Sequence, residues 1–97
     1  MTCYKITGEN RSVFGDETFS REVRTTNIKM QRAIKEGTAI IPEMPYRFRC
    51  CDDDGITYFW GICNKDDSFI PLDLEGMDYG CTYIEYKNPA TGKYEIL

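Results

Sequence analysis

The stretch "YRFRCCDDDGITYFWGIC", residues 46–63, decides how this chain folds. Two runs of aromatic, apolar and basic residues flank Asp52-Asp53-Asp54-Gly55, a turn signal of the Asp-Gly type, so the stretch reads as a β-hairpin. A loop of two or four residues would place Tyr46, Phe48, Cys50, Phe59 and Cys63 on one face. Arg47, Arg49, Cys51, Tyr58, Trp60 and Ile62 would then share the other, because changing a loop by two residues preserves side-chain parity. A three-residue loop would break that sorting.

The first of these faces is the natural core face. The second interleaves guanidiniums with Tyr58 and Trp60, an arrangement worth ~0.5–1 kcal/mol per exposed cation–π contact. Tryptophan, tyrosine and arginine are also the residues enriched at binding hot spots. Arg47, Arg49, Tyr58 and Trp60, with the acidic tip Asp52, Asp53 and Asp54, are therefore the candidate binding residues. The competing reading buries Trp60 beneath the N-terminal segment as ordinary core.

The three aspartates invite a metal reading, and the spacing argues against it. An EF-hand loop needs acids at positions 1, 3 and 5, glycine at 6 and a bidentate glutamate at 12. Placing Gly55 at position 6 leaves Cys50 at position 1 and Gly61 at position 12. A solvated turn is the better reading, and neither a metal nor a cofactor is expected.

Outward from the hairpin, "TCYKIT" (2–7) reads as a first strand and "TTNIKMQRAIKEG" (25–37) as a helix. Thr26 or Asn27 can cap that helix, and Gly37 sits where a left-handed C-cap belongs. "RSVFGDETFSREVR" (11–24) is ambiguous. Phe19, Arg21 and Val23 alternate like a strand, whereas Asp16 or Thr18 could cap a helix; strand is the reading preferred. Pro42 and Pro45 impose an extended connection. "SFIPLDL" (68–74) reads as an edge strand interrupted by Pro71. "CTYIEYK" and "KYEIL" flank a hairpin loop, "NPATG". The expected fold is a single α+β domain over residues 1–97, one helix packed on a four- to five-stranded, mainly antiparallel sheet.

Composition narrows the chemistry. A chain of 97 residues, 41% hydrophobic, can bury a real core. It contains no histidine, which removes Ser-His and Cys-His catalysis and histidine general-base chemistry. Its five cysteines are odd in number, two are adjacent, and none forms a C-x-x-C, so free thiols packing as small hydrophobes are expected. No apolar run has the ~20 residues of a membrane span. No signal peptide is visible at the start, so the expected location is the cytoplasm.

Charge is uneven: residues 1–45 hold seven Lys/Arg against six Asp/Glu, and residues 46–97 hold five against ten. The acidic half argues against a broad nucleic-acid-binding face and suits a basic partner surface. Arg21, Arg24, Lys29, Arg32 and Lys35 make a basic band around the helix, diluted by Glu22 and Glu36. The leading expectation is a non-enzymatic module that binds a protein stoichiometrically and occludes it. Such a module could be a phage or mobile-element inhibitor of a host defence nuclease, anti-CRISPR-like in its action. Its partner would be a basic nucleic-acid-binding protein, with no direct nucleic acid contact.

The alternative is enzymatic. Glu85 and Lys87 lie two apart on a predicted strand, with Asp73 or Asp78 upstream. That resembles the Asp…Glu-x-Lys pattern of PD-(D/E)xK nucleases, and the resemblance implies two acids on a divalent metal and a lysine helping to activate water. It covers about fifteen residues and lacks a basic DNA-facing surface. A solvated ion pair is the simpler reading.

Overall fold

A computed structural model describes residues 1–97. Six antiparallel strands form one sheet: β1 (Cys3–Glu9), β2 (Arg24–Thr25), β3 (Tyr46–Cys51), β4 (Thr57–Cys63), β5 (Tyr83–Lys87) and β6 (Tyr94–Ile96). Their order is β2-β1-β4-β3-β5-β6, so the hairpin of residues 46–63 supplies the two central strands. The α+β architecture is as expected, with more strands than the four or five anticipated.

The hairpin loop has three residues, the case that breaks simple parity. Asp52 N donates to Ile56 O at 3.0 Å and Gly55 N to Asp52 O at 3.0 Å, leaving Asp53, Asp54 and Gly55 as the loop. Gly55 has φ 78°, the left-handed conformation this loop requires. A β-bulge then restores the register: Cys51 pairs with Thr57, but Cys50 pairs with Phe59, and Tyr58 is the extra residue. The two parity changes cancel. Phe48, Cys50, Phe59 and Cys63 all join the core, as the alternation predicts.

Two helices accompany the sheet. Asn27 caps α2 (Ile28–Glu36) by accepting from Met30 N at 2.9 Å, and Gly37 closes it at φ 75°. Both caps match the sequence reading. The helix does not cover the sheet, however: none of its residues is fully buried, and its main neighbour is the edge strand β2. The ambiguous stretch 11–24 resolves into a one-turn helix α1 (Arg11–Phe14), capped by Asn10, an irregular segment, and Arg24, the first residue of β2.

The core face is closed by a segment expected to be a strand. Residues 70–79 are helical, with a π-helical turn (Leu72–Gly76) followed by a 3₁₀ turn (Met77–Tyr79). Ser68 Oγ accepts from Ile70 N at 3.2 Å, and Asp73 N donates to Phe69 O at 2.9 Å. Pro71 has φ −60°, and at the start of a helix its missing N–H costs nothing. Leu72 and Cys81 reach down onto Tyr4, Ile6, Phe48, Ile84 and Tyr86. Buried phenols are satisfied there: Tyr86 donates to Ser68 O at 2.7 Å and Tyr4 to Glu75 Oε1 at 2.8 Å. Edge-to-face contacts of Phe14 and Phe19 with Tyr58, Phe59 and Tyr79 seal one end. No helix is long and apolar enough to cross a membrane.

Candidate functional site

The sheet divides the predicted binding residues between its two sides. Arg47 and Arg49 pair with Ile62 and Trp60, and all four point away from the core. Tyr58 does not join them. As the bulge residue it turns to the core side with Phe59 and packs edge-to-face on Phe14, centroids 5.9 Å apart. Burial and the nearby Asp52 carboxylate hold its phenol above the ordinary range. The expected Arg/Tyr58/Trp60 stripe is corrected to Arg47, Arg49, Trp60 and Ile62.

The cation–π contact on this outer face uses a different ring. The Arg49 guanidinium carbon lies 4.2 Å from the centroid of the Tyr94 ring, and its Nε donates to Glu85 Oε1 at 2.8 Å. Glu85 is nearly buried, and the Cys51 thiol also points at Oε1, 3.6 Å away. Burial disfavours the Arg49 charge, but the Glu85 hydrogen bond and charge overcome it, raising the guanidinium. Burial raises the Cys51 thiol too, so it stays protonated beside the carboxylate.

A bulge in β1 leaves Thr7 unpaired between the Ile6–Gly61 and Gly8–Trp60 pairs, so Thr7 and Gly8 both face outward beside the indole. Lys5 opposite Ile62 and Lys87 opposite Tyr94 complete the outer face. Four cations (Lys5, Arg47, Arg49, Lys87) thus share it with one carboxylate, Glu85, which Arg49 already occupies. Charge counted by halves of the sequence hides this, because it sums both sides of the sheet.

The acids gather elsewhere. Asp52 Oδ1 accepts from Asp54 N at 2.9 Å and Ile56 N at 3.0 Å, so this carboxylate closes the turn, while Asp53 and Asp54 are exposed. Asp73, Glu75 and Asp78 line the helical cover. Burial raises the Tyr79 phenol, with the carboxylates of Glu17, Glu75 and Asp78 adding to the effect. The same segment leaves Phe69, Leu74, Met77 and Tyr79 between 41% and 61% exposed. Sequence reasoning missed this patch because it took "SFIPLDL" for a strand; Pro71 three residues after a serine was the available signal. Ile28, Ile40 and Ile41 are also exposed, at α2 and the loop beyond it.

The nuclease set is not assembled. Glu85 lies on the outer face bound to Arg49, whereas Asp73 and Asp78 belong to the cover on the opposite side of the sheet. No three Cys, Asp or Glu side chains converge as metal ligands. The chain matches no family model, no curated protein and no solved structure.

Proposed function

We propose that this protein is a stoichiometric binding module that occludes a basic protein surface, and that the helical cover is its docking face. The observation that carries this reading is the exposure of Phe69, Leu74, Met77 and Tyr79 on a short segment that also exposes Asp73 and Asp78. Exposed apolar side chains rimmed by charge are the usual make-up of a protein interface. Methionine and leucine supply adaptable contact area, and carboxylates speed encounter with a cationic partner. A partner of this chemistry is the nucleic-acid channel of a nuclease, where an acidic surface competes with phosphate. An anti-CRISPR-like inhibitor of a host defence nuclease, carried by a phage or mobile element, fits that role.

The test compares the wild-type protein with Leu74→Asp plus Met77→Asp, and with Asp73→Asn plus Asp78→Asn. Affinity capture from host lysate identifies a partner, and binding kinetics and nuclease inhibition are then measured on it. The apolar pair should abolish a one-to-one complex, and the charge pair should slow association and weaken its salt dependence. Full binding by both variants would remove the cover as the docking face. Multiple turnover of a nucleic-acid substrate at substoichiometric protein would reject the binding reading itself.

A further inference from the structure

We propose that the outer face of the sheet binds single-stranded nucleic acid, with Trp60 and Tyr94 as stacking surfaces and Lys5, Arg47 and Lys87 as phosphate contacts. Three observations carry this. First, the face is cationic within an acidic protein: the ion pairs are Arg21–Glu9, Arg24–Glu75 and Arg49–Glu85, so Lys5, Arg47 and Lys87 are uncommitted. Second, it is concave. Thr7, Arg47, Trp60, Ile62 and Tyr94 line a depression of about 340 Å³, and Arg47 and Lys87 line a second of about 440 Å³ with Tyr46 and two prolines. Arg47 belongs to both, so they adjoin along the sheet. Third, the rings have neighbours on the face: the Arg49 guanidinium lies over Tyr94, and Trp60 Cε3 lies 3.9 Å from where a Cβ on its cross-strand partner Gly8 would stand.

Planar rings between free cations suit unstacked bases joined by phosphates, since every base has a π-face and every linkage a negative charge. A duplex keeps its bases stacked and offers the rings nothing. An acidic peptide would satisfy the cations but leave the rings unused, and a strand-like peptide would add to an edge, β2 or β6, rather than lie across the face. Of the two acids on strands β3–β6, Glu85 stands on this side and Glu95, opposite the core residue Tyr86, on the other. Nucleic acid on this face is independent of protein binding on the cover.

Trp60 is the only tryptophan, so its emission reports on the face directly. Full-length protein is titrated with short oligothymidylate and oligouridylate, and binding is repeated by anisotropy of a labelled oligonucleotide. Saturable quenching is expected, with affinity falling roughly tenfold or more between about 50 mM and about 200 mM salt for three phosphate contacts. Arg47→Ala plus Lys87→Ala should weaken binding about tenfold at low salt and flatten the salt dependence. Arg47 is exposed and unpaired, and circular dichroism should show that variant folded. Asp73→Asn plus Asp78→Asn on the opposite side should leave oligonucleotide affinity unreduced, which separates this outcome from failure of the cover. No saturable quenching at low salt would overturn the proposal. So would equal affinity for a duplex, or displacement by polyglutamate at equal charge, which would reassign the face to an acidic protein.

Discussion

The Phe48 ring fills the space beside Gly61, its cross-strand partner: a Cβ at Gly61 would collide with the ring and stand 2.5 Å from the Lys5 carbonyl oxygen. Gly61 sits between β1 and β3 on the central strand, so neither neighbour can withdraw without breaking the ladder. Glycine is required here by the close approach of the ring and not by its own backbone angle. Gly61→Ala should cost ~3 kcal/mol or prevent folding, at the upper end of overpacking penalties. Urea denaturation measures this; a loss under about 1 kcal/mol would mean that Phe48 can move aside.

Arg49 and Glu85 bind the outer face across β3 and β5. Removing the arginine leaves a nearly buried carboxylate with only the weak Cys51 thiol beside it. Arg49→Ala should therefore cost about 2 kcal/mol, below the value for a deeply buried pair because the guanidinium is a third exposed. Glu85→Gln should recover much of that loss when added to Arg49→Ala. A double-mutant cycle on thermal unfolding reads the coupling, and simple additivity would show that the pair contributes nothing.

Much of this architecture is legible in the sequence, and the gaps have physical causes. The hairpin strands, the NPATG loop and the Asn27 and Gly37 caps are written in local chemistry, where one side chain or one positive φ decides the outcome. Tyr58 was not legible, because a three-residue loop and a bulge are both invisible to alternation and each undoes the other. Residues 70–79 carry neither a period of two nor one of 3.6, since π and 3₁₀ turns rotate side chains differently from an α-helix. The basic outer face was hidden because Lys5 and Lys87 come together with Arg47 only through the strand order β1-β4-β3-β5.

All five cysteines are buried and free, and this sets an alkaline limit on stability. Burial pushes the thiols of Cys50, Cys51 and Cys63 above the ordinary value of 9.0 and Cys81 up to about 12. In the unfolded chain these groups ionise near 9.0, so the folded state retains protons that the unfolded state releases. Stability is then full below pH 9 and falls as pH rises toward the folded values. A loss on the order of 3–5 kcal/mol by pH 10 is expected, followed by chemical denaturation at pH 7, 9 and 10. A thiol reagent at pH 8 should find no fast-reacting group in the native protein and five after denaturation. Three groups would reveal a disulfide.

The three aspartates of the hairpin tip should behave unequally. Asp52 closes the turn through two backbone N–H groups, so Asp52→Ala should cost ~1–2 kcal/mol. Asp52→Asn keeps the accepting oxygen and should cost less. Asp53→Asn plus Asp54→Asn removes like-charge repulsion between exposed neighbours and should be neutral or slightly stabilising at low salt, an advantage that added salt erases. Equal effects at the three positions would show that the turn depends on charge and not on the Asp52 hydrogen bonds.

Trp60 and Gly8 test whether the indole is anchored on the sheet or loose upon it. The indole is partly buried, and its Cε3 lies 3.9 Å from the place where a Cβ on Gly8 would stand. That is ordinary van der Waals contact, and Gly8 lacks the positive φ that would strain another residue. Gly8→Ala should therefore stabilise the protein by ~0.5 kcal/mol, through added contact and a less flexible unfolded chain. Gly61 on the adjacent strand responds in the opposite direction for the steric reason given above. Trp60→Ala should cost ~1–2 kcal/mol, less than the ~3–5 of a fully buried aromatic and more than a solvated side chain costs. Combined with Trp60→Ala, Gly8→Ala should keep only the unfolded-chain part of its gain. An unchanged gain would show that the methyl and the indole do not touch, and a cost above about 3 kcal/mol for Trp60→Ala would make the tryptophan core, unsuited to stacking on any ligand.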